Sequence, residues 1–192
     1  MKNLYKIVIL CFLFIQILPA KKVNAQIDSS FFVYPSSLTC SLPASLSFNI
    51  FYSNANSDTV YFNLDFGDGQ NNQYSTFNHS FYQSISHTYV SQGPYNVYLT
   101  ITDDLGNVHV DSLCVVAANS CGSVSGEFYN DINDNCILDA GETPFPYQQV
   151  LLTLNGNTLA QTYADNNGIY DFPDVPVGYN YIVRPVLIIT RQ

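Results

Sequence analysis

The chain has 192 residues and carries six Lys or Arg against 15 Asp or Glu, a formal charge of −9. That balance excludes the basic footprint needed to neutralise nucleic-acid phosphates. No apolar run reaches the roughly 18 to 20 residues of a spanning helix, so neither nucleic acid nor a membrane span is expected. Trp is absent while Tyr and Phe number 15 and 13. Short alternating runs separated by Gly, Asn, Asp and Pro read as an all-β chain.

Residues 1–25 begin with Lys2 and Lys6, continue through an apolar stretch over 7–18, and close on Val23-Asn24-Ala25. This pattern predicts a secretory signal peptide. Its removal takes four of the six basic residues and none of the acidic ones, leaving Arg184 and Arg191 against 15 carboxylates, a net −13. Such a surplus favours solubility and attracts divalent cations. Cys11 leaves with the leader. Cys40, Cys114, Cys121 and Cys136 remain, an even number in an oxidising compartment, and disulfides are expected. Of the three possible connectivities we favour Cys40 with Cys114 and Cys121 with Cys136, since each pair then closes within one module. Thiolate metal binding is the alternative, without the support of any C-x-x-C spacing.

A first strand is expected at residues 31–34. Leu46, Phe48, Ile50 and Tyr52 then alternate, as do Val60, Phe62, Leu64 and Phe66, then Tyr95, Val97, Leu99 and Ile101, and more weakly Val108 and Val110. Each run has one buried face. Asp65-Phe66-Gly67-Asp68-Gly69 supplies turn chemistry within this series, and Asp103-Asp104-Leu105-Gly106-Asn107 reads as a hairpin. The runs "NLDFGDG" and "HTYVSQGPYNVYLTITDDLGN" resemble the polycystic kidney disease (PKD) repeat over residues 27–117. The position before DFGDG where that family often has Trp is Leu64, and residues 70–86 fit its pattern poorly. The resemblance implies an immunoglobulin-like β-sandwich serving as an extracellular spacer or adhesive module. In it Asp65, Asp68 and His87 shape turns.

After a linker at 117–120, a second module is expected over 122–192. Strands are predicted around Val124, at 149–154, 159–164, 169–172 and 179–183, with turns at Asn155-Gly156-Asn157 and Asn166-Asn167-Gly168. "VSGEFYNDINDNCILDAGE", "ADNNGIYDF" and "VPVGYNYIVRP" resemble the SdrD B-like repeat of bacterial surface proteins, related to the collagen-adhesin B-type fold, over 122–186. We expect this module to be truncated. The fold class expected is therefore all-β, with two tandem immunoglobulin-like β-sandwich modules. The internal Lys–Asn crosslink of some collagen-adhesin-like domains is unavailable, because no lysine follows residue 25.

One constellation carries chemistry. From Asp131 the loop reads D-I-N-D-N-C-I-L-D-A-G-E, with Asp131, Asn133, Asn135, Asp139 and Glu142 at positions 1, 3, 5, 9 and 12, and the Ile137 carbonyl at position 7. This is the ligand schedule of an EF-hand-type calcium loop. Position 6 holds Cys136 where Gly usually eases the turn, and a disulfide there is expected to hold it. The other reading is an Asx-rich loop folded by its own hydrogen bonds. Calcium is favoured over magnesium because about seven oxygens suit the larger ion, and its role would be structural. Asp165 is a weak extra ligand.

No H-E-x-x-H, G-x-S-x-G or phosphate-binding glycine loop occurs. His87 reads as structural, His79 and His109 as surface or cross-strand groups, and Asp65 with Asp68 as turn residues rather than glycosidase acids. No catalytic activity is expected. Tyr61 and Tyr98 fall on the face opposite the buried set and are the tyrosines best placed for an exposed binding surface. The function expected is a secreted or cell-surface structural or adhesive module pair with an extracellular protein or glycan as partner. Two alternatives are an accessory region of a secreted hydrolase and a carbohydrate-binding protein.

Overall fold

The computed structural model describes residues 28–53, 59–78 and 80–186. The predicted leader and His79 lie outside the described residues. Among the described residues every regular element is a strand, and alternating burial explains most of them.

The first module is built from two facing sheets. One joins β1 (Asp28–Tyr34), β3 (Ala44–Ser53) and β6 (Ser80–Tyr89) in the order β1-β3-β6, all antiparallel. The other joins β2 (Leu38–Thr39), β4 (Val60–Asp65), β5 (Asn71–Thr76), β7 (Gly93–Asp103) and β8 (Val108–Ala117) in the order β2-β8-β7-β4-β5. Between them Phe48, Ile50, Tyr52 and Tyr89 from one sheet meet Phe62, Leu64, Val97 and Leu99 from the other. The rings interlock, with Tyr52 edge-on to Phe62 at 5.3 Å and Phe62 stacked on Tyr74 at 4.6 Å. Burying such side chains contributes about 1.5–3 kcal/mol each, so this core dominates the stability of the module.

The second module pairs β9 (Cys121–Glu127) with β12 (Ile169–Pro176). Opposite lie β10 (Gln149–Leu154), β11 (Asn157–Tyr163) and β13 (Ile182–Pro185), in the order β11-β10-β13. Val150, Leu152, Phe172 and Val175 form its smaller core. The β10–β11 hairpin turns on Asn155 and Gly156, whose φ values of 50° and 85° match the two left-handed residues of a type I′ turn.

A third buried cluster lies at the junction. Cys114 and Val116 of β8 pack with Leu154 of the second module, and Leu38, Leu159, Tyr179 and Tyr181 surround them. The Tyr179 hydroxyl donates to the Ala117 carbonyl at 3.1 Å, and Ser37 Oγ donates to the Leu159 carbonyl at 3.3 Å.

The disulfide corrects the expected pairing. Cys40 is bonded to Cys121, while Cys114 and Cys136 are free thiols. The cause is strand register. The short β2 runs parallel to β8 with Leu38 beside Val116 and Thr39 beside Ala117, so Cys40 follows on past Ala117, four residues from the level of Cys114. At about 3.3 Å per residue that is roughly 13 Å, too far for a disulfide. Cys121, just after the linker, comes within 5.3 Å between Cα atoms.

Candidate functional site

The acidic loop leaves the second module at the end of β9 and returns through a narrow base. Asn130 N donates to the Thr143 carbonyl at 2.9 Å, Phe145 N donates to Phe128, and Tyr129 bridges Pro144. Residues 131–142 therefore form a closed excursion. Its interior is lined by the residues that the spacing singled out. Asp131 Oδ1 accepts from Asn135 N at 3.2 Å and Asp131 Oδ2 from Cys136 N at 2.7 Å. Asn133 Oδ1 accepts from Asn135 N, and Asn135 Oδ1 from Ile137 N at 2.7 Å. Glu142 closes the ring, its Oε1 accepting from Ile132 N and its Oε2 from Asp139 N, both at 3.0 Å.

Asp139 receives the amides of Asn133 at 2.9 Å and Asn135 at 2.7 Å on one carboxylate oxygen. These donors hold its carboxyl below the usual carboxylate range. Tyr129 beside the loop is pushed the other way, by lost solvent first and then by the charges of Asp131 and Glu142. The Ile137 side chain is exposed. Among the described residues no three His, Cys, Asp or Glu side chains converge closely enough to form a metal-ligating group. Instead, the loop joins its three carboxylates through amides and backbone N–H groups.

The donor types, though not their present arrangement, are those a hard cation takes. Every side-chain donor of the schedule is an oxygen, and each Asn Oδ1 that accepts one backbone N–H keeps a second lone pair. Cys136 adopts φ 61°, the left-handed conformation for which Gly is usual at that position. The disulfide expected to hold this turn is not what holds it: Cys136 is a free, exposed thiol, and the bond from its N–H to Asp131 fixes the turn. Asp165, the weak extra ligand, spends its Oδ1 on Asn167 N and Ile169 N in its own turn.

In the first module Asp65 Oδ1 accepts from Gly67 N and Asp68 Oδ1 from Gln70 N. His87 Nε2 meets Asp68 Oδ2 at 2.8 Å while its ring lies flat on Phe66 at 3.9 Å. Such a packed and paired imidazole belongs to the turn. His109 lies 3.2 Å from Asp111 on β8.

A second exposed feature was not anticipated from the sequence. On the outer face of β1-β3-β6, Phe32, Phe51 and Tyr82 make a row, one ring per strand, with centroids 6.0 Å and 4.7 Å apart. Each ring stays about half exposed. Two of the three sit on strands predicted only by their inward partners or not at all. The signal that could have found them is the outward alternation Ser30-Phe32-Tyr34 and Ser80-Tyr82-Ser84. Tyr61 and Tyr98, the tyrosines singled out, are also exposed, on the other sheet, opposite Thr102 and Asp65.

The family model of the PKD domain matches residues 27–124, ending before the acidic loop. Colossin-B of Dictyostelium discoideum is 29% identical over 106 residues, half of this chain but 3% of Colossin-B, so the chain spans a small part of that relative. Among solved structures, the PKD domain of an M14-like peptidase from Thermoplasmatales archaeon SCGC AB-540-F20 is 16% identical. That likeness covers 48% of this chain and 92% of the domain, with a TM-score of 0.37. A structure from the carbohydrate-binding modules of the β-sandwich superfamily is 12% identical over 82% of this chain and 83% of its own, with a TM-score of 0.41. With the model matching just over half its length, from β1 into β9, the chain belongs to the PKD domain family.

Proposed function

We propose that this chain is a non-catalytic structural module pair of a secreted or cell-surface protein, with a PKD sandwich at 27–117 and an SdrD B-like sandwich at 122–192. In this reading the loop 131–142 binds one structural calcium ion. The observation that carries it is the Asp131 carboxylate, which gathers the N–H groups of residues 135 and 136 about a left-handed position 6. An EF-hand-type loop needs that fold before its ligands can converge. Asp131, Asn133, Asn135, Asp139 and Glu142 would supply side-chain oxygens and Ile137 its carbonyl. The ion would supply cohesion to an exposed loop. Membership of a family of non-catalytic modules supports the absence of a reaction, and the disulfide supports an oxidising, extracellular compartment.

Calorimetric titration with calcium, paired with thermal unfolding in calcium and in chelator, tests the reading. An ion that binds only the folded state stabilises it by about 2.7 kcal/mol at a hundredfold excess over Kd. For a module of this size that raises Tm by several degrees. Absence of both heat and shift would reduce 131–142 to a self-bonded polar loop.

A further inference from the structure

We infer that the outer face of β1-β3-β6 is a docking surface for a neutral polysaccharide, with Phe32, Phe51 and Tyr82 as its stacking row. The inference is independent of the calcium loop, which lies in the other module.

The first observation is the row itself. Its three rings come from three adjacent strands and cross the sheet over about two inter-strand spacings, some 10 Å. A cross-strand aromatic pair alone is a common device for holding strands together, and such pairs often hide one ring beneath the other. Here all three remain between 45% and 54% exposed.

The second observation lies beneath the rings. Asn49 points from β3 to the same outer face, yet is only 7% exposed. Its Oδ1 accepts the Tyr82 hydroxyl at 2.8 Å and its Nδ2 donates to the Ser47 carbonyl at 3.1 Å. The amide therefore locks the Tyr82 ring in place before any ligand arrives. A surface so preorganised loses little side-chain freedom on binding.

The third observation concerns charge and selects the ligand. Strands β3 and β6 contain no Asp, Glu, Lys or Arg, β1 carries a single acidic residue, Asp28, at its start, and apart from Tyr34 and Asn49 the other outward positions around the rings are Ser and Thr. An anionic glycan finds no cation on these three strands, and a strongly basic protein finds only Asp28. A neutral pyranose chain matches both parts of the surface, because its C–H faces pack on the negative faces of aromatic rings and its hydroxyls pair with uncharged hydroxyl side chains. A second copy of the chain is a poorer occupant. Three half-exposed rings amount to about 300 Å² of apolar area, against about 800 Å² per partner in a stable protein pair.

Affinity electrophoresis of the purified chain through gels holding hydroxyethylcellulose, laminarin, soluble starch, galactomannan or polygalacturonate tests this inference. We expect retardation by at least one neutral polymer and none specific to polygalacturonate. Phe32→Ala, on the edge strand, and Ser84→Glu, which adds charge without removing packing, should each weaken retention about tenfold or more. Tyr61→Ala on the opposite sheet should leave it unchanged, and melting curves should confirm that all three variants fold. Failure of every neutral polymer, or retention indifferent to both face variants, overturns the inference. A concentration-dependent dimer abolished by Phe32→Ala also overturns it, in favour of a second copy on this face.

Discussion

Gly168 occupies a place that no other residue can fill without strain. Its φ is +78°, and an added Cβ would press into the Phe128 carbonyl oxygen, the same carbonyl that accepts Phe145 N at the base of the acidic loop. Gly168→Ala therefore combines an unfavourable backbone with a steric clash at a closed hydrogen-bonded junction. We expect it to destabilise the chain by about 2 kcal/mol or more, read as a lower urea midpoint. A variant as stable as the parent would refute the assignment. Cys114 poses a different problem at the same scale. Burial raises its thiol above the ordinary 9.0, and in the same cluster burial raises Tyr179 above 10.0 and Tyr181 to about 12. A group whose folded pKa is raised contributes stability that is intact below its unfolded value and lost as pH climbs through the folded one. The junction should therefore weaken progressively above pH 9, and Cys114→Ala should flatten the first part of that decline in thermal melts between pH 7 and 11. Identical slopes for parent and variant would show that the thiol has no part in it.

Among the elements, the acidic loop makes the sharpest prediction. Glu142 uses one oxygen on Ile132 N and the other on Asp139 N, so Glu142→Ala would open the loop whether or not a cation binds. Glu142→Gln keeps one acceptor and removes the charge. We expect it to fold with a slightly lower melting temperature in chelator, since one backbone N–H loses its acceptor, and to lose the calcium-dependent rise. A full rise in that variant would place the ion elsewhere. Strands with plain apolar alternation, β3, β4, β7 and β10, were legible in the sequence to within a few residues. By contrast β5 and β6 were not, for a physical reason. The inward positions of β6 are Phe81, Gln83, Ile85, His87 and Tyr89, and two of these are polar, which breaks the period that betrays a strand. His87 can face inward because Asp68 and Phe66 satisfy its ring, a tertiary arrangement that no local pattern records. The two-residue β2 exists only through its pairing with β8. The disulfide was misassigned for that same reason, since the parallel register carries Cys40 past Cys114. The turn-rich loop at 131–142 was legible because the side-chain to backbone bonds that fold it are local. The aromatic row was not, because it is assembled across three strands.

At the scale of the whole molecule, the two modules are not beads on a string. A buried cluster, two side-chain hydrogen bonds to backbone and a disulfide bind β2 and β8 to the second module. The crosslink closes a segment with a sequence separation of 81, and such a loop restricts the unfolded chain by roughly 4 kcal/mol in the chain-entropy view. Cys40→Ser paired with Cys121→Ser should therefore lower stability by an amount of this order. It should also split one calorimetric unfolding transition into two, as the smaller core of the second module loses its tether. A single unshifted transition in the double variant would mean that the noncovalent junction suffices by itself.

The position of that crosslink has another consequence once the chain is pulled from its two ends. Tension entering at β1 passes from Cys40 directly to Cys121 and on into the second module, so everything between them is shunted out of the path. The segment that bears no load is nearly the whole first sandwich, from just past β2 to the start of β9. Unravelled, those residues would have released on the order of 270 Å of slack at about 3.4 Å each. The covalent bypass withholds that length, leaving only β1, β2 and the second module able to pay out under strain.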